Sequence, residues 1–334
     1  MKPLGIAVWG VGRHATERIL PAVASVRALT LRGVCGRDAR RVEAAASTWR
    51  CQAWTNAETM LRDADVDVVY VSTATGCHAE HATVVLASGK HVWCEKPFTA
   101  NLRSTVELVE ASRRAGLVVC EGLMYLYHPQ FRQLAALIGD GSLGELRSIS
   151  CRFGIPPLSF ESFRSDPSRG GGALLDVGCY PVSAIQALFP DAECRVAHAR
   201  VGARRGSAVD TDGEAVVHLS AGVVAQLEWR TGSAYRNEIG VWGDAGSVFT
   251  DRIFSKPADH QPVFEVRSLR GDVTLVPGEA GNHFVAMLEW FAQSAGDPRR
   301  AEAERRRIVR SAELLDRIWH FDDGSRQAAS GRPG

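Results

Sequence analysis

Through the first third of the chain, short apolar runs alternate with longer amphipathic stretches. Leu4 to Trp9, Leu29 to Cys35, Val66 to Ser72, His91 to Cys94 and Leu117 to Cys120 are too short for helices and rich in β-branched and aromatic residues. They predict buried strands. Between them lie helical stretches from about Arg13 to Ala24, His78 to Ala87 and Asn101 to Ala115. In the last, Asn101 suits an N-cap, Leu102, Val106 and Val109 form a stripe, and Gly116 ends the helix. Strand and helix in strict alternation predict an α/β fold with a doubly wound parallel sheet.

The period changes after Gly144. Ile149, Cys151 and Phe153 alternate with Ser150 and Arg152; Ala225, Leu227 and Trp229 alternate with Val224, Gln226, Glu228 and Arg230. Such period-two runs, broken by glycine-containing turns, recur from Cys194 to Val276. They predict an α+β domain with a large, mostly antiparallel open sheet covered on one face. Its other face is free to receive another subunit. A helix from Glu302 to Trp319 carries Ile308, Ala312, Leu315 and Trp319 on one stripe. Arg305, Arg306, Arg307 and Arg310, interrupted by acidic residues, read as its solvated side. The expected division is a first domain over 1–123, a second over 124–321 and a polar tail over 322–334, with no flexible linker between the domains.

Bulk properties narrow the function. The chain has 334 residues, room for about two domains. A net charge of +1 argues against nucleic acid or a membrane surface as partner. No apolar run is long enough to span a bilayer, and the first residues enter a strand without a secretory pattern. The eight cysteines lack any Cys-x-x-Cys pair, and Cys94, Cys120 and Cys151 sit in apolar runs. They read as reduced core residues of a cytoplasmic protein.

The first strand–helix junction reads Gly10-Val11-Gly12-Arg13-His14-Ala15, a G-x-G-x-x-A pattern in the context a dinucleotide fingerprint needs. Gly10 permits the turn, Gly12 lets a pyrophosphate approach the backbone, and the helix start offers free N–H groups. Arg13 and His14 at that start join the cofactor set. After the second strand comes Gly36-Arg37-Asp38-Ala39-Arg40-Arg41. Arg37 can fork onto a 2′-phosphate and Arg41 adds charge, which favours NADP; Asp38, usable as an N-cap, keeps NAD open as the alternative. Thr73 and Ala74, in the loop after the third strand, and His78, at the next helix start, complete the cofactor-side candidates. His78 and His81 lie three apart but lack a third ligand, so no metal site is read there.

Glu95-Lys96-Pro97 follows the fourth long strand. A lysine at the carboxyl end of such a strand faces the crevice where open α/β sheets bind ligands. In the second half, Gly170-Gly171-Gly172-Ala173-Leu174-Leu175-Asp176-Val177-Gly178-Cys179-Tyr180-Pro181 runs from a glycine turn into a helix, with Asp176 and Tyr180 four apart on one face. Lys96, Asp176 and Tyr180 are the catalytic candidates, an acid–base group for one carbonyl. These three, with Tyr125 and His128, form the substrate-side set. Glu95, Lys96 and Arg164 are assigned to the cofactor as well, Arg164 as a loop cation that can close over cofactor or substrate.

Taken together and in this order, Gly10-x-Gly12-x-x-Ala15, Glu95-Lys96-Pro97 and the Gly170–Pro181 stretch resemble the glucose–fructose oxidoreductase / inositol dehydrogenase family. The likeness runs to about Asp322. Tyr127-His128-Pro129-Gln130-Phe131-Arg132-Gln133, Gly144-Glu145-Leu146-Arg147-Ser148, Phe153-Gly154-Ile155-Pro156-Pro157, Asp251-Arg252-Ile253-Phe254 and Gln261-Pro262-Val263 further resemble the sugar-nucleotide C-3 ketoreductases of antibiotic deoxysugar pathways. That resemblance implies NADPH-dependent reduction of the 3-keto group of a dTDP-3,4-diketo-2,6-dideoxyhexose. It places Lys96 and Tyr180 at the family's catalytic positions and Arg37 at its NADP-binding position. It also implies a homodimer or homotetramer through the C-terminal sheet. Two departures matter. Many members carry His where this chain has Tyr180, which argues against the polyol-dehydrogenase branch. The serine before the NADP-binding arginine is Gly36 here, which weakens the 2′-phosphate contact. Two alternatives stand beside this reading: an NAD(P)-dependent dehydrogenase of a free sugar, polyol or trans-dihydrodiol, and a non-enzymatic NADPH-binding sensor.

Overall fold

A computed structural model describes residues 2–157, 163–220 and 222–321; the expected tail over 322–334 lies outside them, apart from its boundary. The chain divides into two compact units. One comprises residues 1–127 and 282–309, the other 128–281 and 310–334. The first unit therefore reclaims a late segment that a linear boundary at residue 123 assigns to the second. The return follows the loop Pro277-Gly278-Glu279-Ala280-Gly281, and α8 begins just after it.

In the first unit, β1 (Leu4–Trp9), β2 (Leu29–Cys35), β3 (Gln52–Trp54), β4 (Val68–Val71), β5 (His91–Cys94) and β6 (Val119–Glu121) form one parallel sheet. Its order is β3-β2-β1-β4-β5-β6, the doubly wound arrangement that the alternation predicts. The order reverses between β1 and β4, and a crevice opens at such a point. The helices are α1 (Leu20–Ser25), α2 (Ala39–Trp49), α3 (Ala57–Arg62), α4 (His78–Ala87) and α5 (Leu102–Ala115). Val69, Val71, Val92, Cys94 and Val119 fill the core on one side with Val85, Leu108 and Val109. Asn101 caps α5 by accepting from the Ser104 N–H at 2.9 Å, and Gly116 ends it at φ 65°. The expected stripe on α5 is shifted. Val106 is exposed, and Thr105, Leu108, Val109 and Ser112 face inward, because polar Thr105 and Ser112 satisfy their hydroxyls locally and can be buried.

The second unit begins with α6 (Pro129–Gly139) and β7 (Leu146–Ile155). After α7 (Cys179–Leu188) come β8 (Cys194–Gly202), β9 (Asp212–Leu219), β10 (Val224–Thr231), β11 (Arg236–Gly243), β12 (Gly246–Asp251), β13 (Val263–Ser268) and β14 (Val273–Pro277). The sheet order is β14-β13-β12-β11-β7-β10-β9-β8, antiparallel throughout except for β10 beside β7. Ile149, Cys151, Phe153, Ala225, Leu227, Trp229, Ile239 and Val241 are buried, with α7 packed on β7 and β10. Their alternate neighbours make the open face. Cross-strand pairing there sets Arg152 between Glu228 and Glu238, at 3.4 and 3.1 Å.

Two further helices close the chain. α8 (His283–Ser294) belongs to the first unit, and α9 (Pro298–His320) has its first half there and its second half in the other. The arginines of α9 are not all on the solvated side expected. Arg306 is exposed as expected, but Arg305 is buried and reaches the Leu117 carbonyl and Ser112, and Arg307, its side chain 12% exposed, pairs with Glu121 and Glu304. Arg310 donates to the Ala192 carbonyl in the second unit. Among the described residues, no helix is long and apolar enough to cross a membrane, and all eight cysteines are free thiols.

Candidate active site

The cofactor-side residues gather at the carboxyl ends of β1, β2, β4 and β5. Gly10 sits at φ 110°, and a Cβ there would lie 2.5 Å from the Ser72 carbonyl, so only glycine fits. A Cβ on Gly12 would meet nothing within 4 Å. Space for a pyrophosphate therefore stands above Gly12, where helical backbone begins at residue 13 and runs through a π-helical turn, Ala15–Ile19, into α1, so that its first N–H groups favour anions. Thr16 donates to the Gly12 carbonyl and steadies that first turn. Arg13 is exposed beside Glu17. At the end of β2, Asp38 caps α2 by accepting from the Arg41 N–H, and the Arg41 side chain returns to it at 3.3 Å. Arg37 and Arg41 are both exposed there. An exposed guanidinium beside the Gly10–Gly12 loop is the donor set a 2′-phosphate needs.

Three groups fix the turn that carries Lys96. Glu95 accepts from the Tyr70 hydroxyl at 2.6 Å, and its same oxygen lies 2.8 Å from His14 Nε2. Burial alone would raise the Glu95 pKa, but the charge and hydrogen bond of His14, the Tyr70 hydroxyl and the Lys96 charge outweigh it and hold the carboxyl at about 2. Next to Lys96, the Phe98 N–H donates to Glu121 at 2.8 Å, and Arg307 holds that carboxylate at 3.1 Å. Burial and neighbouring Glu304 push Glu121 up in pKa, while Arg307 and the Phe98 N–H oppose this. On the other side, His78 Nδ1 lies 2.9 Å from the Pro97 carbonyl, and Nε2 lies 3.2 Å from the Thr73 carbonyl. His78 is only 1% exposed. It is thus placed behind the loops, and its assignment as a cofactor contact is corrected: its ring is buried, with a backbone carbonyl beside each nitrogen. Thr73 and Ala74 keep their place in the loop after β4; Ala74 is buried, and Thr73 Oγ1 lies 2.9 Å from His81 Nδ1, whose ring stacks on Trp9.

In the second unit, Gly171 packs close to backbone, while Gly172 packs against a side chain. A Cβ on Gly171 would lie 2.5 Å from the Arg164 carbonyl, and one on Gly172, at φ 126°, would strike Asp210. Asp210 accepts from the Leu174 N–H at 2.6 Å and so anchors the helical start. The turn over Leu174–Gly178 is a π-helix before α7 begins, so Asp176 and Tyr180 are not simple i, i+4 neighbours of an α-helix. Asp176 accepts from Arg164 Nε at 2.9 Å. Arg164 is therefore drawn to the carboxylate rather than left as a loose loop charge. Tyr180 is buried, its ring against Phe153 and Phe254 at centroid distances of 5.0 and 5.8 Å.

Two substrate-side assignments are corrected. His128 is fully buried. Its Nδ1 accepts from the Gln130 N–H, which caps α6, and that leaves Nε2 to donate to the Gly281 carbonyl. Burial and the charge of Lys256 push its pKa down to about 4. Tyr125 is 0% exposed, so no part of it is open to a ligand. Sequence reasoning missed Tyr70, Asp210 and Arg307. Tyr70, the one polar-tipped residue of a strand otherwise all valine, was the only one with a local signal.

Residues 4–123 match the model of the oxidoreductase family with an NAD-binding Rossmann fold, and residues 131–249 match the GFO/IDH/MocA C-terminal domain. The chain is 33% identical over 318 residues to the dTDP-3,4-didehydro-2,6-dideoxy-alpha-D-glucose 3-reductase of Streptomyces antibioticus, covering 94% of this chain and 96% of the relative. It is 32% identical to the Streptomyces violaceoruber enzyme of the same name, covering 95% of each chain. Among solved structures, KijD10, a 3-ketoreductase from Actinomadura kijaniata in complex with NADP and TDP-benzene, superposes with a TM-score of 0.91 at 30% identity, covering 95% of this chain and 97% of that one.

Proposed function

Since the chain belongs to the GFO/IDH/MocA oxidoreductase family, we propose that it reduces the C-3 ketone of a dTDP-3,4-diketo-2,6-dideoxyhexose with NADPH. The observation that carries this reading is full-length similarity to 3-reductases of that substrate and to a ketoreductase solved with NADP and a TDP ligand. Gly10 and Gly12 take the pyrophosphate, Arg37 the 2′-phosphate, and the Thr73–Ala74 loop the nicotinamide side. NADPH, when bound, supplies the hydride. As charge grows on the ketone oxygen, Tyr180 donates its phenolic proton, and Lys96 stabilises the emerging alkoxide and then the tyrosinate. Asp176, held by Arg164, orients a sugar hydroxyl.

The same reading extends to assembly. Trp242, Phe249, Val263, Val273 and Leu275 are all exposed, and cross-strand register puts them on the open face of the second unit's sheet. An apolar patch of this kind suits a subunit interface, and the occupant proposed is a second copy of this chain.

The deciding experiment supplies purified protein with NADPH and a dTDP-ketosugar, and in parallel with NADP and free sugars, polyols and trans-dihydrodiols. Nicotinamide absorbance should fall with the ketosugar, faster with NADPH than with NADH. Turnover only of free sugars or diols would move the chain to the dehydrogenase branch. NADPH binding with no turnover of any carbonyl would leave a sensor.

A further inference from the structure

The half-buried turn that carries Lys96 is held by a residue that is itself buried. His78 begins α4, and its ring lies between two loops: the one after β4, through the Thr73 carbonyl, and the Lys96–Pro97 turn after β5, through the Pro97 carbonyl. Both partners are carbonyl oxygens, which can only accept. A neutral imidazole has one N–H. The shorter contact, 2.9 Å against 3.2 Å, assigns that proton to Nδ1 and the stronger bond to Pro97. Burial keeps the ring on the neutral side of its usual range, against the pull of the two carbonyls and of Glu95.

We propose that His78 is a positioning residue for Lys96: by donating from the start of α4 to the carbonyl next to Lys96, it fixes where the ammonium is presented. Pro97 can offer no N–H, so its carbonyl is the one backbone hydrogen-bonding group through which that residue can be held. The neighbouring restraints, Glu95 on Tyr70 and Phe98 on Glu121, grip the turn on either side of Lys96; His78 alone among these three ties it to α4. The catalytic part of this inference rests on the role proposed for Lys96.

The test compares His78→Leu, His78→Gln and Val85→Ala. Val85, also in α4 and buried, touches the core and neither loop's carbonyl clasp. In His78→Leu, kcat should fall roughly 10- to 100-fold at unchanged KM for the nucleotide sugar, as misplacement of one catalytic group does. His78→Gln, which keeps an N–H donor, should recover part of that loss. Val85→Ala should lower Tm and leave kcat alone. Without any substrate, amide hydrogen exchange over 95–98 should quicken about fivefold in His78→Leu, the effect of losing one hydrogen bond, while β2 exchanges as before. The proposal is overturned if His78→Leu behaves as Val85→Ala, with lower Tm and unchanged kcat, or if exchange over 95–98 does not change. If the unaltered protein reduces no ketosugar, the functional reading fails, and exchange still decides the clasp.

Discussion

Tyr180 is the proton donor of the proposed mechanism, and Glu95 is a carboxylate held beside Lys96 by His14 and Tyr70. If the Tyr180 phenol is the acid, Tyr180→Phe keeps the ring contacts with Phe153 and Phe254 and removes only the proton. Steady-state rates should then drop by roughly 10² to 10⁴ with Tm unchanged; full activity would remove Tyr180 from the mechanism. Glu95 gives a prediction in pH. Its folded pKa of about 2 lies below the roughly 4.3 of a free glutamate. Its contribution is therefore complete above about pH 5 and declines as pH falls towards 2. Urea unfolding between pH 5 and pH 3 should show Glu95→Gln losing less stability than the parent over that interval, by on the order of 1–2 kcal/mol. Equal slopes would mean that His14 and Tyr70 do not stabilise the ionised form. At this scale the glycines and Lys96 were legible in the sequence, because backbone space and strand ends follow from local order. The histidines were not. Whether His78 or His128 faces a ligand or a carbonyl depends on residues such as Pro97 and Gly281, distant in sequence.

The arginine-rich start of α9 makes the same point for an element. Read by composition, alternating Glu and Arg describe a wet helix; in the fold, Arg307 reaches Glu121, 186 positions earlier. Tyr127 donates to Glu304 at 2.9 Å, and Glu304 also meets Arg307 at 2.7 Å, so the four groups form one buried network. Burial and Glu304 raise the Tyr127 pKa well above the ordinary phenol, which keeps its proton available for that bond. Arg307→Met would leave two buried carboxylates without their cation and should destabilise the protein by about 3–5 kcal/mol. Adding Glu121→Gln should restore part of the loss. Thermal unfolding of the single and double variants measures both; a single variant as stable as the parent would mean that the network contributes no net stability. The network also ends on the Phe98 N–H, so the first turns of α9 are coupled to the Glu-Lys-Pro turn through one carboxylate.

For the whole molecule, the alternation of apolar runs was enough to give both sheets, since period and length are local properties. It could not give the return of residues 282–309 to the first unit: the turn residues Pro277, Gly278 and Gly281 mark a break there, but not which sheet the next helix joins. The alternation in the second sheet also exposes a face that no segment of its own unit is predicted to cover. Trp242 is 65% and Leu275 66% exposed there, Trp242 on a strand whose opposite face carries the core residues Ile239 and Val241. In an interface between two identical copies each such side chain is buried twice. Full burial of one large apolar side chain stabilises by about 1.5–3 kcal/mol, so removing Trp242 from both copies should weaken association by roughly 10²- to 10⁴-fold. Trp242→Glu adds the desolvation of two carboxylates to that loss. Because the side chain is exposed in the single chain, the variant should fold normally and keep its circular dichroism. Sedimentation velocity across a dilution series should show the parent as a dimer or larger and Trp242→Glu shifted to a single 36.2 kDa chain. A variant that sediments with the parent at every concentration would place the subunit contact elsewhere than on this sheet.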